Sequence, residues 1–540
     1  MEITTGRPVT IAPHGMVTSP HSIASAAGVD VLRAGGSAID AAISTAAVLG
    51  VVYPHMTGVG GDAFWLIYDG GTGEVRYIDG GGRAAANATI SRLSEMEYDQ
   101  IPLKGIIPAT LTTPGAVASW SLAHDDYGRL PMSRILEQAI GYAREGYPVT
   151  QRLAHSTSLV EPELAKHPES AKVFLPHGKA PAPGAIQVNE NLARTLEIYA
   201  QDGLSGFYEG DVAKEMSLFS KQRGGIFTAE DWAAQKAKWG TPIVGNYRGA
   251  TIYNSPAPTQ GFTVLEMLNL LEPLELQKMP MLSAERIHLL VQAKQIAFND
   301  RDQLLADPDF VDVPVDRLIS KSYANQRAQL MDPDRALPWD KVPSFGSLNG
   351  DTVYIAAVDD FGNAVSFIQS LYGVYGSAVV AGETGVLLQN RGAYFNLDPA
   401  HPNRLEPGKV PLHTLIASVA MRDNQFWGVL GCMGADGQPQ IQLQCYLAML
   451  DYGLDIQEAV EMPRFISGRF AIGEARDTLH IEARFPPQTF QGLEERGHIL
   501  DRWGNWKELA GHAHGVFVDQ KTGARIGGCD PRSDGAAIGY

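Results

Sequence analysis

Gly350-Asp351-Thr352-Val353-Tyr354-Ile355-Ala356-Ala357-Val358-Asp359, continued by Phe361-Gly362-Asn363-Ala364-Val365-Ser366-Phe367, reads as two strands joined by a tight turn, with a threonine heading the first. A threonine hydroxyl is a weak nucleophile at its free pKa. Once the preceding peptide bond is cut, the neutral α-amino group of the same residue, titrating near ~8, is positioned to take the hydroxyl proton. Nothing within the stretch shows that the chain is cut there, so the surroundings must decide.

At 540 residues, with 44% apolar side chains and 57 glycines, the chain is globular and turn-rich, large enough for two to four domains or one extended core. Forty-three basic against sixty acidic residues leave a net charge of −17, which opposes binding to nucleic acid or anionic lipid, and no Lys/Arg run offsets it. Cys432, Cys445 and Cys529 are too few, and odd in number, for a disulfide framework. The start, Met-Glu-Ile-Thr-Thr-Gly-Arg-Pro, lacks a basic and apolar secretory pattern, and the longest apolar run, Ala41 to Tyr53, is too short to span a bilayer. A soluble, cytoplasmic protein in a reducing compartment is the expectation.

Ser22 to Ala34 reads as a helix closed by Gly35-Gly36, and Ser37 with Asp40 as the capping box of a second helix reaching Val52. A hairpin follows, Ala63–Tyr68 and Val75–Ile78, across Asp69-Gly70-Gly71-Thr72-Gly73. Helical patterns dominate from Ala116 to Leu305, and a polar stretch runs from Asp332 to Leu348. Strands are then expected at Thr352–Val358, Ala364–Ile368, Val386–Gln389, Leu415–Met421 and Gln425–Leu430, helices at Ile441–Leu450, Ile456–Met462 and Gln488–Arg496, and short strands near Thr478–Ile481, Gly515–Val518 and Ile526–Gly528. Grouped strands with blocks of helices give an α+β layered fold rather than βαβ alternation.

Gly58-Val59-Gly60-Gly61-Asp62-Ala63 has the spacing of a dinucleotide fingerprint, but a helix precedes it and a strand follows, the reverse of that motif's context. It reads as a helix-to-strand turn. No phosphate loop, Gly-x-Ser-x-Gly elbow or His-Glu-x-x-His pair occurs; His512 and His514 read as ordinary histidines, so neither metal nor cofactor is expected. Cys432 reads as a small buried hydrophobe. The turn Gly431-Cys432-Met433-Gly434-Ala435-Asp436-Gly437 precedes a helix, so its N–H groups suit either an oxyanion hole or plain turn geometry.

Taken in order, Gly15–Ser19, Gly35–Ala42, Gly58–Phe64, Thr113–Val117, Ala381–Leu388 and Asp530–Gly535 resemble the γ-glutamyltranspeptidases and their relatives among the N-terminal-nucleophile hydrolases, over nearly the whole chain. The resemblance implies a four-layer αββα sandwich, made as a proenzyme that cuts itself between Asp351 and Thr352. Residues 1–351 would form a large subunit and residues 352–540 a small catalytic one, held together as a pair; a homo-oligomer of that pair is compatible with it. Thr352 would be the nucleophile, Ser370 its hydrogen-bonding neighbour in place of a family threonine, and the N–H groups of Gly434 and Ala435 the oxyanion hole, Ala435 departing from the family glycine.

The substrate positions depart further. In the family an arginine clamps the glutamyl α-carboxylate; here Arg83 is displaced by about two positions in Asp79-Gly80-Gly81-Gly82-Arg83. The ammonium-binding positions read Tyr372, Arg391 and Tyr394, and two family serines become His413 and Thr414. An ammonium 4 Å from Arg391 would meet like charge, costing roughly 1 to 4 kcal/mol at effective dielectrics of about 80 to 20. Two arginines with no evident acid suit an acyl group that carries a carboxylate and no amine; the alternative is that Arg391 turns into a structural salt bridge. The segment from Tyr394 to His413, which carries a lid in some members, is short, implying an open, hydrolytic site.

The resulting expectation is a self-processing amidohydrolase acting on a small carboxylate-bearing amide, with oxamate, the substrate of one relative, as the type. A γ-glutamyltransferase or glutathione hydrolase is the first alternative, a glutaryl or cephalosporin acylase the second, and an unprocessed binding protein on the same scaffold the third.

Overall fold

Unbroken apolar strands such as Val353–Val358 need cover on both faces, and the fold supplies it. The computed structural model describes residues 6–338, 351–468 and 477–540, with only the backbone of Asp351. Residues 339–350, including Gly350 and the end of the polar stretch Asp332–Leu348, lie outside them.

The strand Asp351–Val358 is third in a seven-stranded antiparallel sheet ordered Ala536–Gly539, Met16–Ser19, Asp351–Val358, Ala364–Tyr372, Asp62–Tyr68, Val75–Gly80, Lys238–Gly240. A second antiparallel seven-stranded sheet runs Thr10–Ala12, Arg525–Cys529, Ala513–Val518, Gln425–Cys432, Ser418–Arg422, Ala250–Asn254, Ile243–Tyr247. The period-2 alternation divides the nucleophile strand between two cores. Val353, Ile355 and Ala357 pack with the helices Ser22–Arg33, Ala38–Val52 and Ala116–Tyr127, while Tyr354, Ala356 and Val358 pack with Phe64, Leu66, Ile368, Val419, Val429 and Val516 between the sheets. On the outer face of the second sheet, Ile252, Leu430 and Phe517 meet the helices Phe262–Leu271, Ala284–Leu304 and Gln438–Tyr452. This is the expected four-layer αββα arrangement.

Local reasons for the elements are direct. Ser37 Oγ accepts from the Asp40 N–H (3.2 Å) and Asp40 Oδ2 from the Ser37 N–H (3.0 Å), the reciprocal capping box that opens the wholly buried helix Ala38–Val52. Corrections are equally local. Val386–Gln389 is not a strand. It is held by single contacts, the Leu388 N–H on the Val379 carbonyl and the Gln389 N–H on the Gly60 carbonyl. The stretch read as helical hides the hairpin Ile243–Tyr247/Ala250–Asn254. Leu415–Ala417 precedes its strand, which is Ser418–Arg422. No described helix is long and apolar enough to cross a membrane.

Candidate active site

Register brings the candidate residues together. On the inter-sheet face, Ser370 lies opposite Asp62, and an irregularity between Asp351 and Val353 sets Ser370 and Leu371 against the single residue Thr352. Thr352, Ser370 and Asp62 therefore form a row across three neighbouring strands. Thr352 Oγ1 donates to Ser370 Oγ at 3.1 Å, and Ser370 Oγ also accepts from the Tyr372 N–H at 2.7 Å. Tyr372 ends its strand at φ +79°, a left-handed conformation that a bulky side chain holds only under local constraint.

The opposing sheet delivers the glycine turn to the same end. Tyr354, two residues on from Thr352 and on the same face, lies so close over Gly431 that a Cβ there would sit 2.2 Å from the ring. Three residues later come Gly434 at φ +136° and Ala435 at φ +45°. Neither N–H donates to another described residue, as an oxyanion hole requires. Gln260 ties this turn to the neighbouring segment: its Nε2 donates to the carbonyls of Ala435 (3.1 Å) and Thr414 (2.9 Å), and its Oε1 accepts from Arg301, which also pairs with Asp436 at 2.8 Å.

The backbone angles predict opposite outcomes at the two positions. Ala435→Gly removes a left-handed alanine, which costs roughly 1–2 kcal/mol, and is expected to keep or raise the melting temperature with activity intact. Gly434→Ala puts a methyl where φ forbids it and 2.8 Å from Ile441 Cδ1, and is expected to lower kcat by about 10²-fold or more. Equal effects in a paired thermal-melt and steady-state comparison would refute the assignment.

Arg391 is fully buried. Its guanidinium lies over the Tyr372 ring (4.4 Å) and near that of Tyr394 (5.7 Å), the two rings being 4.8 Å apart. One nitrogen, Nη1, donates to Thr414 Oγ1 at 3.3 Å, while Nε and Nη2 have no hydrogen-bond partner among the described residues. Burial pushes its pKa down, opposed by Tyr372, Tyr394 and Asp62. His413, also fully buried, packs edge-on against Phe64 with neither ring nitrogen hydrogen-bonded to a described residue, and burial followed by the charge of Arg391 holds it well below the usual imidazole range.

Arg83 takes a different course from the expectation. Its Nη1 donates to the Gly408 carbonyl at 3.0 Å, and the guanidinium stands 4.0 Å from Asp307 and 3.7 Å from Asp309. Opposite charge draws the side chain to these acids, and Arg391 is left as the arginine with free donors beside Tyr372 and Tyr394. The expected absence of an acid near Arg391 is corrected as well. Asp62 is fully buried, its Oδ1 accepting from Gln389 Nε2 (2.9 Å) and the Gly115 N–H (3.2 Å), its Oδ2 without a hydrogen bond among the described residues and 3.5 Å from His413 Nε2. Burial pushes the Asp62 pKa up to about 7, against the lowering effects of Arg391, Gln389 and the Gly115 and Gly82 N–H groups. Asp62 was read only as part of a turn. Its alternation with Phe64 and Leu66 marks it as an acid on a core-facing position.

The site is also less open than its short covering segment implied. Thr352, Tyr372, Arg391 and His413 are each 1% exposed or less, and within the short segment Asn403 donates to the Tyr394 carbonyl and accepts from the Leu412 N–H, tying its two ends together. Cys432 is a free, buried thiol whose pKa burial raises far above the usual value, consistent with a packing role. His512 and His514 are buried, and no group of metal-ligating side chains occurs among the described residues.

Comparison with known proteins bears on this geometry. The family model described as gamma-glutamyltranspeptidase matches residues 24–540. A Bacillus subtilis (strain 168) protein named glutathione hydrolase-like YwrD proenzyme is 43% identical over 97% of this chain and 98% of its own length. The oxamate amidohydrolase proenzyme of Klebsiella pneumoniae is 39% identical over 98% of this chain and 99% of its own. Among solved structures, a cephalosporin acylase from Bacillus halodurans superimposes with a TM-score of 0.91 at 35% identity, covering 100% of this chain and 98% of that one.

Proposed function

Since the chain belongs to the gamma-glutamyltranspeptidase family, we propose that it is a self-processing N-terminal-threonine amidohydrolase whose acyl group carries a carboxylate and no ammonium. In the first step Thr352 Oγ1 attacks the Asp351 carbonyl, the peptide C–N bond breaks as the nitrogen takes a proton, and water cleaves the resulting ester. Residues 1–351 and 352–540 remain associated. The freed α-amino group of Thr352 then serves as base.

In turnover, Thr352 Oγ1 loses its proton to that amine and attacks the substrate amide carbonyl. The N–H groups of Gly434 and Ala435 take the negative charge, Ser370 orients the hydroxyl, and the leaving amine departs with the proton. Water resolves the acyl-enzyme by the same path. The observation that carries the substrate reading is the Arg391 guanidinium, buried beside the Tyr372 and Tyr394 rings with Nε and Nη2 bonded to no acceptor among the described residues; that pair of donors matches a carboxylate.

Oxamate, the substrate named for the Klebsiella relative, has this chemistry; so do glutaryl amides, and the likeness to the Bacillus halodurans cephalosporin acylase favours an acylase as the second reading. Purified processed protein should release ammonia from oxamate with a kcat/KM at least about tenfold above that for γ-glutamyl-p-nitroanilide, with a glutaryl anilide assayed beside them. A higher value for the γ-glutamyl compound would overturn the reading.

A further inference from the structure

Several buried polar atoms of the site are left with hydrogen-bonding capacity to spare. Asp62 Oδ2, both nitrogens of His413, and Nε and Nη2 of Arg391 make no hydrogen bond to a described residue, and Asp62 Oδ2 and His413 Nε2 stand 3.5 Å apart with side chains at 0% exposure. Asp62 is thus an internal anion beside the cation assigned to the substrate carboxylate. Inside a water-poor core, two anions sharing one guanidinium repel each other strongly. Protonation removes that competition.

Resting on the proposed carboxylate-amide reading, we propose that Asp62 and His413 form a proton-holding pair that takes up one proton when a carboxylate binds Arg391, so that the enzyme selects anionic substrates only with a proton. The proton comes from solvent and is shared between Asp62 Oδ2 and His413 Nε2; no bond to substrate forms or breaks. Asp62 acts through Arg391 and is a positioning residue.

The α-amino group freed at Thr352, one strand beyond Ser370, is the other titrating neighbour, and comparison with Asp62→Asn separates the two; the remaining described groups facing Asp62 hold no exchangeable charge of their own near neutrality. Ser370 on the adjacent strand is a neutral hydroxyl, Gln389 and the Gly115 N–H supply fixed donors to Oδ1, and the Gly82 N–H does the same from the preceding loop. Tyr208, whose phenol the Asp62 charge raises further, is buried and donates to the Pro114 carbonyl. Arg391 is the nearest cation in this group. The acid across the site, Asp436, is already paired with Arg301. The elevated pKa of Asp62, about 7, agrees with a proton resident near neutrality.

Two measurements test this. For oxamate, KM of the wild-type protein should rise about tenfold per pH unit above pH 7 while kcat follows the α-amino group of Thr352; in Asp62→Asn, a fixed neutral mimic, KM should stay within about twofold from pH 6 to 8.5. A wild-type KM flat across that range overturns the inference and leaves the reaction class standing. The second measurement needs no variant: calorimetric titration of the processed wild type with oxalate, in two buffers of different ionisation enthalpy, should show close to one proton taken up at pH 8 and far less at pH 5.5. Equal uptake at the two pH values, or none at either, overturns it. Proton-linked oxalate binding without oxamate turnover would retain the linkage and overturn the substrate reading, and no oxalate binding at millimolar concentration would overturn both.

Discussion

Thr352→Ala should yield a single 58.2 kDa chain on a denaturing gel, where the parent protein yields two pieces of 351 and 189 residues, and should lower turnover at least about a thousandfold. Two functions fail together in this variant, because one hydroxyl attacks both its own peptide carbonyl and the substrate. Structural damage is not the expected cause. Thr352 is a small side chain at the end of a strand whose apolar residues Val353 to Val358 supply the packing, so the melting temperature should fall little. Thr352→Ser, which keeps the Oγ, should recover cleavage on incubation. An alanine variant that still divides at the same bond would remove Thr352 from both roles.

The second large effect concerns Arg391. Arg391→Gln should lower kcat/KM for oxamate by about 10²- to 10³-fold, equivalent to about 3–4 kcal/mol of lost carboxylate binding in a desolvated site. Self-cleavage should continue, since it uses Thr352, Ser370 and the turn at Gly434. Arg391→Lys should restore only a small part, because an ammonium lacks the planar fork and stacks less well over the Tyr372 ring. Activity within about threefold of the parent would show that the carboxylate is held elsewhere, with Arg83 the next residue to substitute. The gel assay separates these outcomes from a failure to mature.

The layered fold was legible because the signals it rests on are local. The unbroken apolar run Val353–Val358, the Ser37/Asp40 box and the Asp69–Gly73 turn each act over a few residues. The hairpin Ile243–Tyr247/Ala250–Asn254 was hidden because its strands are only five residues each and lie in a stretch otherwise dominated by helical patterns. Within the site, Thr352, Ser370 and the Gly434–Ala435 turn were readable from motif order. Asp62 was not, since its meaning depends on a register contact with Ser370, residues 308 positions apart in the chain. Arg83 failed as a guide for the same kind of reason: the acids Asp307 and Asp309 that hold it are remote in sequence and close in space.

The strand order has a consequence for the life of the mature molecule. In the first sheet the strands Met16–Ser19 and Asp62–Tyr68, from before Thr352, enclose Asp351–Val358 and Ala364–Tyr372, and in the second sheet Arg525–Cys529 is edged by Thr10–Ala12. After cleavage neither piece retains a complete sheet. Denatured proenzyme can regain its ladders within one chain, whereas denatured mature enzyme must find its other half in solution, so its recovery becomes second order and falls with dilution. With the proposed cut before Thr352, the survival of the mature pair is expected to depend on how slowly it opens.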